Sequence, residues 1–279
     1  MMDIQPSVSV IIPTYNRAGF VCEAIDSVLK QTFREFELII VDDGSVDNTS
    51  EIVSSFDDAR VKYIRQENRG VSAARNTGVL HSSAPLIAFL DSDDLWFPKK
   101  LEAQVSFFES NRDVQICQTE EIWIRNGRRV NPMDKHRKYS GWIFRQCLPL
   151  CIVSPSAVMM RREAFDDLGG FDEGLPACED YDLWLRAALR YPIHTLPDAL
   201  IEKRGGHADQ LSSGWGLDRY RVEALKKCLV DPKLTDEYRE LVLHEILRRA
   251  RIVADGARRR GNSNLAVEYE SIVTGLELD

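Results

Sequence analysis

The stretch LIAFLDSDD at residues 86–94 decides the fold of this chain, because an uninterrupted apolar run leads directly into three carboxylates. The same arrangement occurs earlier, where ELIIV at residues 37–41 precedes Asp42 and Asp43. Apolar runs of this length are typical of parallel strands that are buried on both faces. In open α/β sheets, ligands bind beyond the carboxyl ends of such strands. The sequence therefore predicts a mostly parallel sheet with an acidic, ligand-binding edge.

Acidic side chains gathered at one sheet edge repel one another unless a cation or hydrogen-bond donors join them. A divalent metal that holds a diphosphate would do so, because carboxylate oxygens suit Mg²⁺ and Mn²⁺. The alternative is that each aspartate caps the helix that follows it. Capping explains one aspartate per cluster but not Asp91, Asp93 and Asp94 together, so the ligand interpretation is favoured.

Composition places the chain among soluble globular proteins and excludes several functions. The 279 residues are 44% hydrophobic and 29% charged, which suits one or two domains. The net charge of −8 argues against nucleic acid as a partner. Six scattered cysteines without a Cys-x-x-Cys motif are typical of reduced thiols rather than of a disulfide framework or a zinc site.

No apolar run approaches the ~18 residues that a bilayer span needs, and no secretory signal is recognisable at the N-terminus. We therefore expect a cytoplasmic protein, with peripheral contact at the inner membrane face as an option. The basic run Arg258 to Arg260 would suit anionic lipid, although such runs are usually solvated helix faces. A homodimer is compatible with the sequence.

Strand and helix patterns alternate over residues 1–110 with short connections. This alternation predicts a three-layer α/β/α arrangement with a mostly parallel central sheet. The predicted strands cover 8–12, 37–41, 61–65 and 86–90, and the predicted helices 20–29, 48–56, 71–80 and 99–110.

The pattern changes after residue 110. Strands are predicted at 114–119 and 122–124, followed by a hairpin turn at Asn126-Gly127 and a polar, mobile loop at 132–139. A strand at 156–160 and a helix at 179–191 complete an acceptor-side half, 111–208, of a domain spanning 1–208.

Residues 209–279 are predicted to form a helical subdomain with helices at 217–229, 236–254 and 264–274. We expect these helices to be an appendage for partners or a membrane surface, outside the active site.

Six motifs in order make the chain resemble the family 2 glycosyltransferases over about residues 6–213. The resemblance implies a GT-A fold, a Rossmann-like α/β/α sandwich, here with a helical C-terminal extension. The motifs are VSVIIPTYNR (8–17), VDDGS (41–45), NRG with ARNTG (68–78), LDSDD with Trp96 and Pro98 (90–98), GGFDE (169–173) and EDYDLWLR (179–186).

The resemblance also implies which residues hold a nucleoside-diphosphate sugar. Asp42 would accept a hydrogen bond from a pyrimidine imide, and Asp43 would support the turn at Gly44-Ser45. The residues expected around the nucleotide sugar are Pro13, Thr14, Tyr15, Asn16, Asp42, Arg75, Asn76, Asp91 and Ser92. For Arg75 and Asn76, a solvated position on the helix surface is an equal alternative.

The metal and catalytic positions follow from the same resemblance. Asp93 would bind the divalent cation, Mn²⁺ or Mg²⁺, and His207 is a candidate second ligand, although a lone histidine is more often structural. Asp94 either joins this site or caps the following turn. Asp180 would be the catalytic base that deprotonates the acceptor, with Glu179 raising its pKa as a neighbouring carboxylate.

The expected activity is inverting, metal-dependent transfer of a sugar from a UDP- or dTDP-sugar to a hydroxyl of a glycan or lipid-linked acceptor, in surface polysaccharide biosynthesis. Trp215 is a candidate for stacking on a sugar ring. A sugar-nucleotide nucleotidyltransferase is an alternative, but residues 13–16 (PTYN) are not the glycine-rich basic loop it would need. A non-catalytic nucleotide-sugar-binding protein is a third option, disfavoured by the intact acidic motifs.

Overall fold

The computed structural model describes residues 5–207 and 216–278. Within them the strands are β1 (Val8–Thr14), β2 (Phe36–Asp42), β3 (Val61–Arg65), β4 (Leu86–Phe89), β5 (Leu95–Trp96), β6 (Ile116–Arg125), β7 (Arg128–Val130), β8 (Val158–Arg161) and β9 (Ile193–Gly205). The α-helices are α1 (Ala18–Leu29), α2 (Thr49–Ser54), α3 (Val71–Leu80), α4 (Lys100–Ser110), α5 (Phe144–Cys147), α6 (Arg162–Leu168), α7 (Glu179–Arg190), α8 (Leu217–Leu229), α9 (Asp236–Arg259) and α10 (Ser263–Leu278).

The strands form one sheet in the order β3-β2-β1-β4-β8-β6-β9-β5, with β7 paired to β6. The first four strands in this order are mutually parallel, as predicted. Strand β8 is antiparallel to both β4 and β6, and β6 then runs parallel to β9. In the β1–β2 register Thr14 lies beside Asp42, so the carboxyl ends of the parallel strands meet at one edge.

Helices cover both faces of the sheet, and alternate residues of β1 face opposite layers. Val10 and Ile12 pack with α1 and α4, whereas Ile11 packs in the opposite layer with α5 to α9. Helix α3 lies directly against β1, since a Cβ at Gly78 would come within 2.4 Å of Ile11 Cγ2. Only glycine allows this close approach, which holds α3 against β1.

The second half of the sheet differs in detail from the sequence prediction. The two strands predicted between 114 and 124 are one strand, β6, with register shifts against β9 around Glu120. The turn at Asn126 and Gly127 is confirmed, and both residues have positive φ (48° and 71°). The loop predicted at 132–139 is anchored, because buried Lys138 donates to Thr119 O at 2.8 Å and to Glu121 Oε2 at 2.9 Å.

The C-terminal helices share the core of the acceptor-side half. Buried Val222, Leu225 and Ile246 pack in one hydrophobic cluster with Tyr181 of α7. Buried Arg249 of α9 donates to the Pro149 carbonyl at 2.8 Å and is ion-paired with Asp218 of α8. The expectation of a separate appendage is therefore wrong for the packing of these helices, while the boundary predicted at 208/209 lies outside the described residues, as does Trp215.

Two further observations bear on a membrane. Among the described residues, no helix combines the length and apolar character that crossing a bilayer requires. At the end of α9, Arg258 is ion-paired with Glu270 of α10 at 2.7 Å. Part of the basic run is thus engaged within the helical layer, and membrane contact stays a prediction.

Candidate active site

A cleft of about 860 Å³ opens at the carboxyl edge of the parallel strands. Its walls come from both halves of the sheet and from α8. The lining from the first half of the sheet, where nucleotide binding was predicted, includes Pro13, Thr14, Tyr15, Asn16, Asp43, Arg75, Asp91, Ser92, Asp93 and Asp94. The lining on the other side includes Glu121, Trp123, Cys151, Glu179, Asp180, Lys203, Leu217 and Arg221.

The loop after β1 is held to the loop after β2. The Asn16 N–H donates to Ser45 Oγ at 2.8 Å, and Asn16 Oδ1 accepts from the Val46 N–H at 2.8 Å. The buried Thr14 Oγ1 has no hydrogen-bond partner among the described residues. Because a buried hydroxyl without a partner is costly, this atom is available to a ligand in the cleft.

Asp42 and Asp43 exchange the positions predicted for them. Asp42 is fully buried and does not line the cleft, and its carboxylate accepts from the Ser45 N–H at 2.8 Å and from the Tyr63 hydroxyl at 2.5 Å. Asp42, not Asp43, therefore supports the Gly44-Ser45 turn. Asp43 does line the cleft, where it accepts from the backbone N–H groups of Arg69 (3.0 Å) and Gly70 (2.8 Å).

Asp93 and His207 are brought together as predicted for a shared site. Asp93 Oδ2 lies 2.7 Å from His207 Nε2 and 2.8 Å from Arg17 Nη1. His207 lies two residues after the end of β9, and the pairing of β9 with β6 helps to bring it to Asp93. One carboxylate oxygen thus faces an imidazole and a guanidinium.

Asp94 anchors the end of β9. Its Oδ1 accepts from the Arg204 N–H at 2.9 Å, and its Oδ2 accepts from the Ser156 hydroxyl at 2.6 Å. Burial, together with the charges of Asp93 and Asp91, raises the pKa of Asp94 well above its ordinary value. Asp94 therefore joins three segments of the cleft wall, and both of these partners lie outside the turn that follows it.

Arg75 bridges the two walls of the cleft. Its guanidinium contacts Asp91 Oδ1 at 2.6 Å through Nη2 and Glu179 Oε1 at 2.8 Å through Nη1. The side chain is only 4% exposed and lies over the Phe171 ring. Burial opposes the charge, but the two carboxylates prevail and raise the pKa of Arg75. The alternative of a solvated helix surface is wrong for Arg75.

Asn76 faces the loop at 171–173 and is not among the residues that line the cleft. Its amide donates to Phe171 O at 2.9 Å and accepts from the Phe171 N–H at 3.0 Å. It also donates to Glu173 Oε1 at 3.0 Å. Asn76 therefore holds the loop at 171–173 against α3 and does not take the predicted place facing the nucleotide.

Helix α7 begins at the cleft with its two acids. Cys178, with φ of 63°, turns the chain into the helix. Burial and the adjacent Asp180 raise the pKa of Glu179, while Arg75 opposes this shift. Asp180 is half-buried, lines the cleft and accepts from the Tyr181 N–H at 2.7 Å.

Several cationic residues of the site were missed by the sequence reasoning. Arg17 is the last residue of the first motif, and its positive charge directly after Tyr15 and Asn16 could have marked it as a site residue. Lys203, which lies 3.9 Å from Glu121, gave no signal because its place depends on the β6–β9 register. Arg221 could not be identified from the sequence because its helix, α8, follows the last recognisable motif.

Comparisons with known proteins agree with this geometry. Residues 9–169 match the model of glycosyl transferase family 2, and residues 137–224 match that of glycosyltransferase-like family 2. An uncharacterized glycosyltransferase of Rickettsia conorii is 36% identical over 71% of this chain, and the match spans 32% of that protein's length. The Escherichia coli UDP-Glc:alpha-D-GlcNAc-diphosphoundecaprenol beta-1,3-glucosyltransferase WfgD is 37% identical over 64% of this chain and 68% of its own.

Solved structures share the fold. Staphylococcus aureus TarS 1–349 in complex with UDP-GlcNAc superposes with a TM-score of 0.77 at 22% identity, covering 96% of this chain and 81% of TarS. The mannosyltransferase PcManGT of Pyrobaculum calidifontis, in complex with GDP-Man and Mn²⁺, gives a TM-score of 0.66 at 20% identity, covering 98% and 84%. The predicted family and fold are confirmed: the chain belongs to glycosyl transferase family 2 and has a GT-A fold.

Proposed function

We propose that this protein is a metal-dependent, inverting glycosyltransferase, and that it moves a sugar from a UDP- or dTDP-sugar to a hydroxyl of a glycan or lipid-linked acceptor in surface polysaccharide biosynthesis. One observation carries the proposal: the Arg75 bridge joins Asp91 on the nucleotide-binding wall to Glu179 beside Asp180 on the opposite wall. The two acidic sets that transfer requires thus share one cleft.

The nucleotide-binding wall fits a nucleoside diphosphate. The unsatisfied hydroxyl of Thr14, the last residue of β1, and the carboxylate of Asp43, which follows β2, line the cleft where a base and ribose would sit. Asp43 lines the cleft and Asp42 does not, so we assign to Asp43 the acceptance of a hydrogen bond from a pyrimidine imide.

Asp93 and His207 supply two ligand types that suit a divalent cation, which would take the place that Arg17 occupies at Asp93 Oδ2. A carboxylate and an imidazole are suitable ligands for Mn²⁺, and Asp93 and His207 would supply them. Among residues 5–207 and 216–278, no group of three or more acidic, histidine or cysteine side chains is arranged to hold a metal. The remaining ligands would therefore be diphosphate oxygens and water, and the bound cation would stabilise the charge that develops on the leaving diphosphate.

Asp180 is placed to act on the acceptor. In the proposed step it takes the proton of the acceptor hydroxyl, whose oxygen attacks the anomeric carbon as the bond to the diphosphate breaks. A single displacement of this kind inverts the anomeric configuration. Glu179, held by Arg75, fixes the start of α7 and hence the position of Asp180.

The acceptor class rests on relatives. WfgD is named for transfer to a diphosphoundecaprenol-linked sugar, and it shares 37% identity with this chain.

A sugar-nucleotide nucleotidyltransferase is disfavoured by the short loop after β1. A purely binding role is disfavoured because Asp91, Asp93, Glu179 and Asp180 all face the cleft.

A panel of UDP-, dTDP-, GDP- and ADP-sugars tests the donor assignment. With Mn²⁺ present, we expect UDP- or dTDP-sugars to bind and to be slowly hydrolysed to the nucleoside diphosphate, and purine nucleotides to bind at least about tenfold more weakly, a difference of ~1.4 kcal/mol. Calorimetry and release of nucleoside diphosphate are the measurements, with EDTA as the control. Formation of a nucleotide sugar from a triphosphate and a sugar phosphate would instead support the nucleotidyltransferase.

A further inference from the structure

Arg221 of α8 reaches the catalytic cleft from the C-terminal helices. Leu217 and Arg221 are four residues apart, so they lie on the same face of α8, and both line the cleft. The Leu217 carbonyl lies 3.7 Å from Sγ of Cys178, which directly precedes Glu179 and Asp180. Arg221 is therefore one helical turn from the contact between α8 and the start of the catalytic helix.

The Arg221 guanidinium has capacity for a further anion. Its ion pair among the described residues is with Asp218, at 3.1 Å, and Asp218 is also paired with Arg249. Glu245, the other acid of this cluster, is shared by Arg249 and Arg248. Three guanidinium groups thus share two carboxylates. The Arg221 Nε–H also lacks a hydrogen-bond acceptor among the described residues, which is a costly state for a buried donor.

Apolar side chains share the cleft lining with Arg221. Leu150, Ile152 and Leu217 contribute to the same lining. The nearby carboxylates of Glu179 and Asp180 would repel an anionic acceptor unless a cation offset them. A cation that lines the same cleft as apolar side chains and the proposed base suits a molecule that joins an anionic group to an apolar chain.

We propose that Arg221 binds the phosphate of an acceptor in which a sugar is linked through a diphosphate to an apolar chain. This inference rests on the proposed function and adds to it a specificity-determining residue from the C-terminal helices. If Arg221 instead bound the donor diphosphate, its replacement would weaken UDP binding. The experiment below measures UDP binding separately from probe binding and so distinguishes the two roles.

Geranyl diphosphate is a suitable probe, with uncharged geraniol as its matched control. The full-length protein is first saturated with UDP and Mn²⁺, so that the donor site is filled, and geranyl diphosphate is then titrated by calorimetry. We expect the wild type to bind it and Arg221→Gln to bind it about 10- to 100-fold more weakly, as befits loss of a charge-assisted hydrogen bond. Arg221→Lys should bind geranyl diphosphate with an affinity between those of the wild type and Arg221→Gln. The affinity for geraniol should be the same in all three proteins.

Arg219→Gln is the matched control variant, because Arg219 lies on the same helix but is exposed and does not line the cleft. It should bind the probe as the wild type does, and UDP affinity should be unchanged in every variant, which also reports correct folding. Equal probe affinity in Arg221→Gln, absence of probe binding by the wild type, or weaker UDP binding in Arg221→Gln would each overturn the inference. Failure of the wild type to bind UDP would contradict the proposed function itself.

Discussion

Asp180→Asn is expected to lower sugar transfer by about 10²- to 10⁴-fold, the usual cost of losing a general base, while UDP affinity stays unchanged. Asparagine keeps the shape and can still accept from the Tyr181 N–H, but it cannot take a proton from the acceptor hydroxyl. The donor is assigned to the opposite wall, around Asp43 and Asp93, so its binding should not depend on the Asp180 charge. Initial rates with a competent acceptor, and UDP affinity by calorimetry, measure the two effects.

The control for this variant has to be an acid outside the cleft. Asp182, two residues further along α7, is unsuitable because its buried carboxylate is paired with Arg186 at 2.7 Å and Lys227 at 2.9 Å. Asp166→Asn on the exposed side of α6 is suitable and should keep wild-type transfer. Near-normal turnover in Asp180→Asn would reassign the base, with Glu179 the next candidate. Loss of UDP binding would place Asp180 in the donor site instead.

Arg75→Met is expected to destabilise the protein by about 3–5 kcal/mol and to abolish transfer. The substitution keeps much of the side-chain volume, but it leaves the buried carboxylate of Glu179 and the partly exposed carboxylate of Asp91 without their shared cation. The start of α7 would then lose the contact that fixes it against the nucleotide-binding wall. Urea denaturation measures the stability, and the rate of nucleotide release measures the activity.

Two further variants test whether the loss of stability in Arg75→Met comes from the buried charges. Arg145→Met removes an exposed ion pair with Glu237, whose atoms are 3.9 Å apart, and should change stability by less than about 1 kcal/mol. Adding Glu179→Gln to Arg75→Met removes one stranded charge and should recover part of the lost stability without restoring activity. If Arg75→Met unfolded like the Arg145 control, the bridge would not hold the walls together.

The parallel half of the fold was predictable because its signals are local. Each β-α unit carries its own apolar run and helical periodicity, and the acids follow the strands directly in sequence. The family motifs then located Asp91, Asp93, Glu179 and Asp180, all of which line the cleft. His207 was a candidate by position alone, and the β6–β9 pairing brings it to Asp93.

The exchange of Asp42 and Asp43 follows from strand geometry that the sequence already contained. Residues alternate between the two faces of a strand, and Leu38 and Ile40 pack in the layer of α1 and α4. Asp42 shares their face and is therefore buried against Tyr63, whereas Asp43 lies beyond the end of β2 and reaches the cleft. Because β2 is buried on both faces, a period-two count gives the face of Asp42 but does not by itself bring Asp43 to the cleft.

The role of the C-terminal helices was not predictable in the same way. Apolar periodicity shows that a helix buries one face, but not against which partner. The contact of Leu217 with Cys178 and the bond from Arg249 to Pro149 join residues 39 and 100 positions apart. Such long-range contacts leave no local pattern, which is why Arg221 was found only in the structure.

Calorimetric titration of UDP into the wild type and Asp93→Ala, each with Mn²⁺ and with EDTA, tests the central claim most directly. That claim is that the donor diphosphate is bound through a cation held at Asp93. We predict binding by the wild type that weakens at least about tenfold in EDTA, and weak binding by Asp93→Ala that does not respond to Mn²⁺. Equal UDP affinity with and without the metal in the wild type would contradict the account.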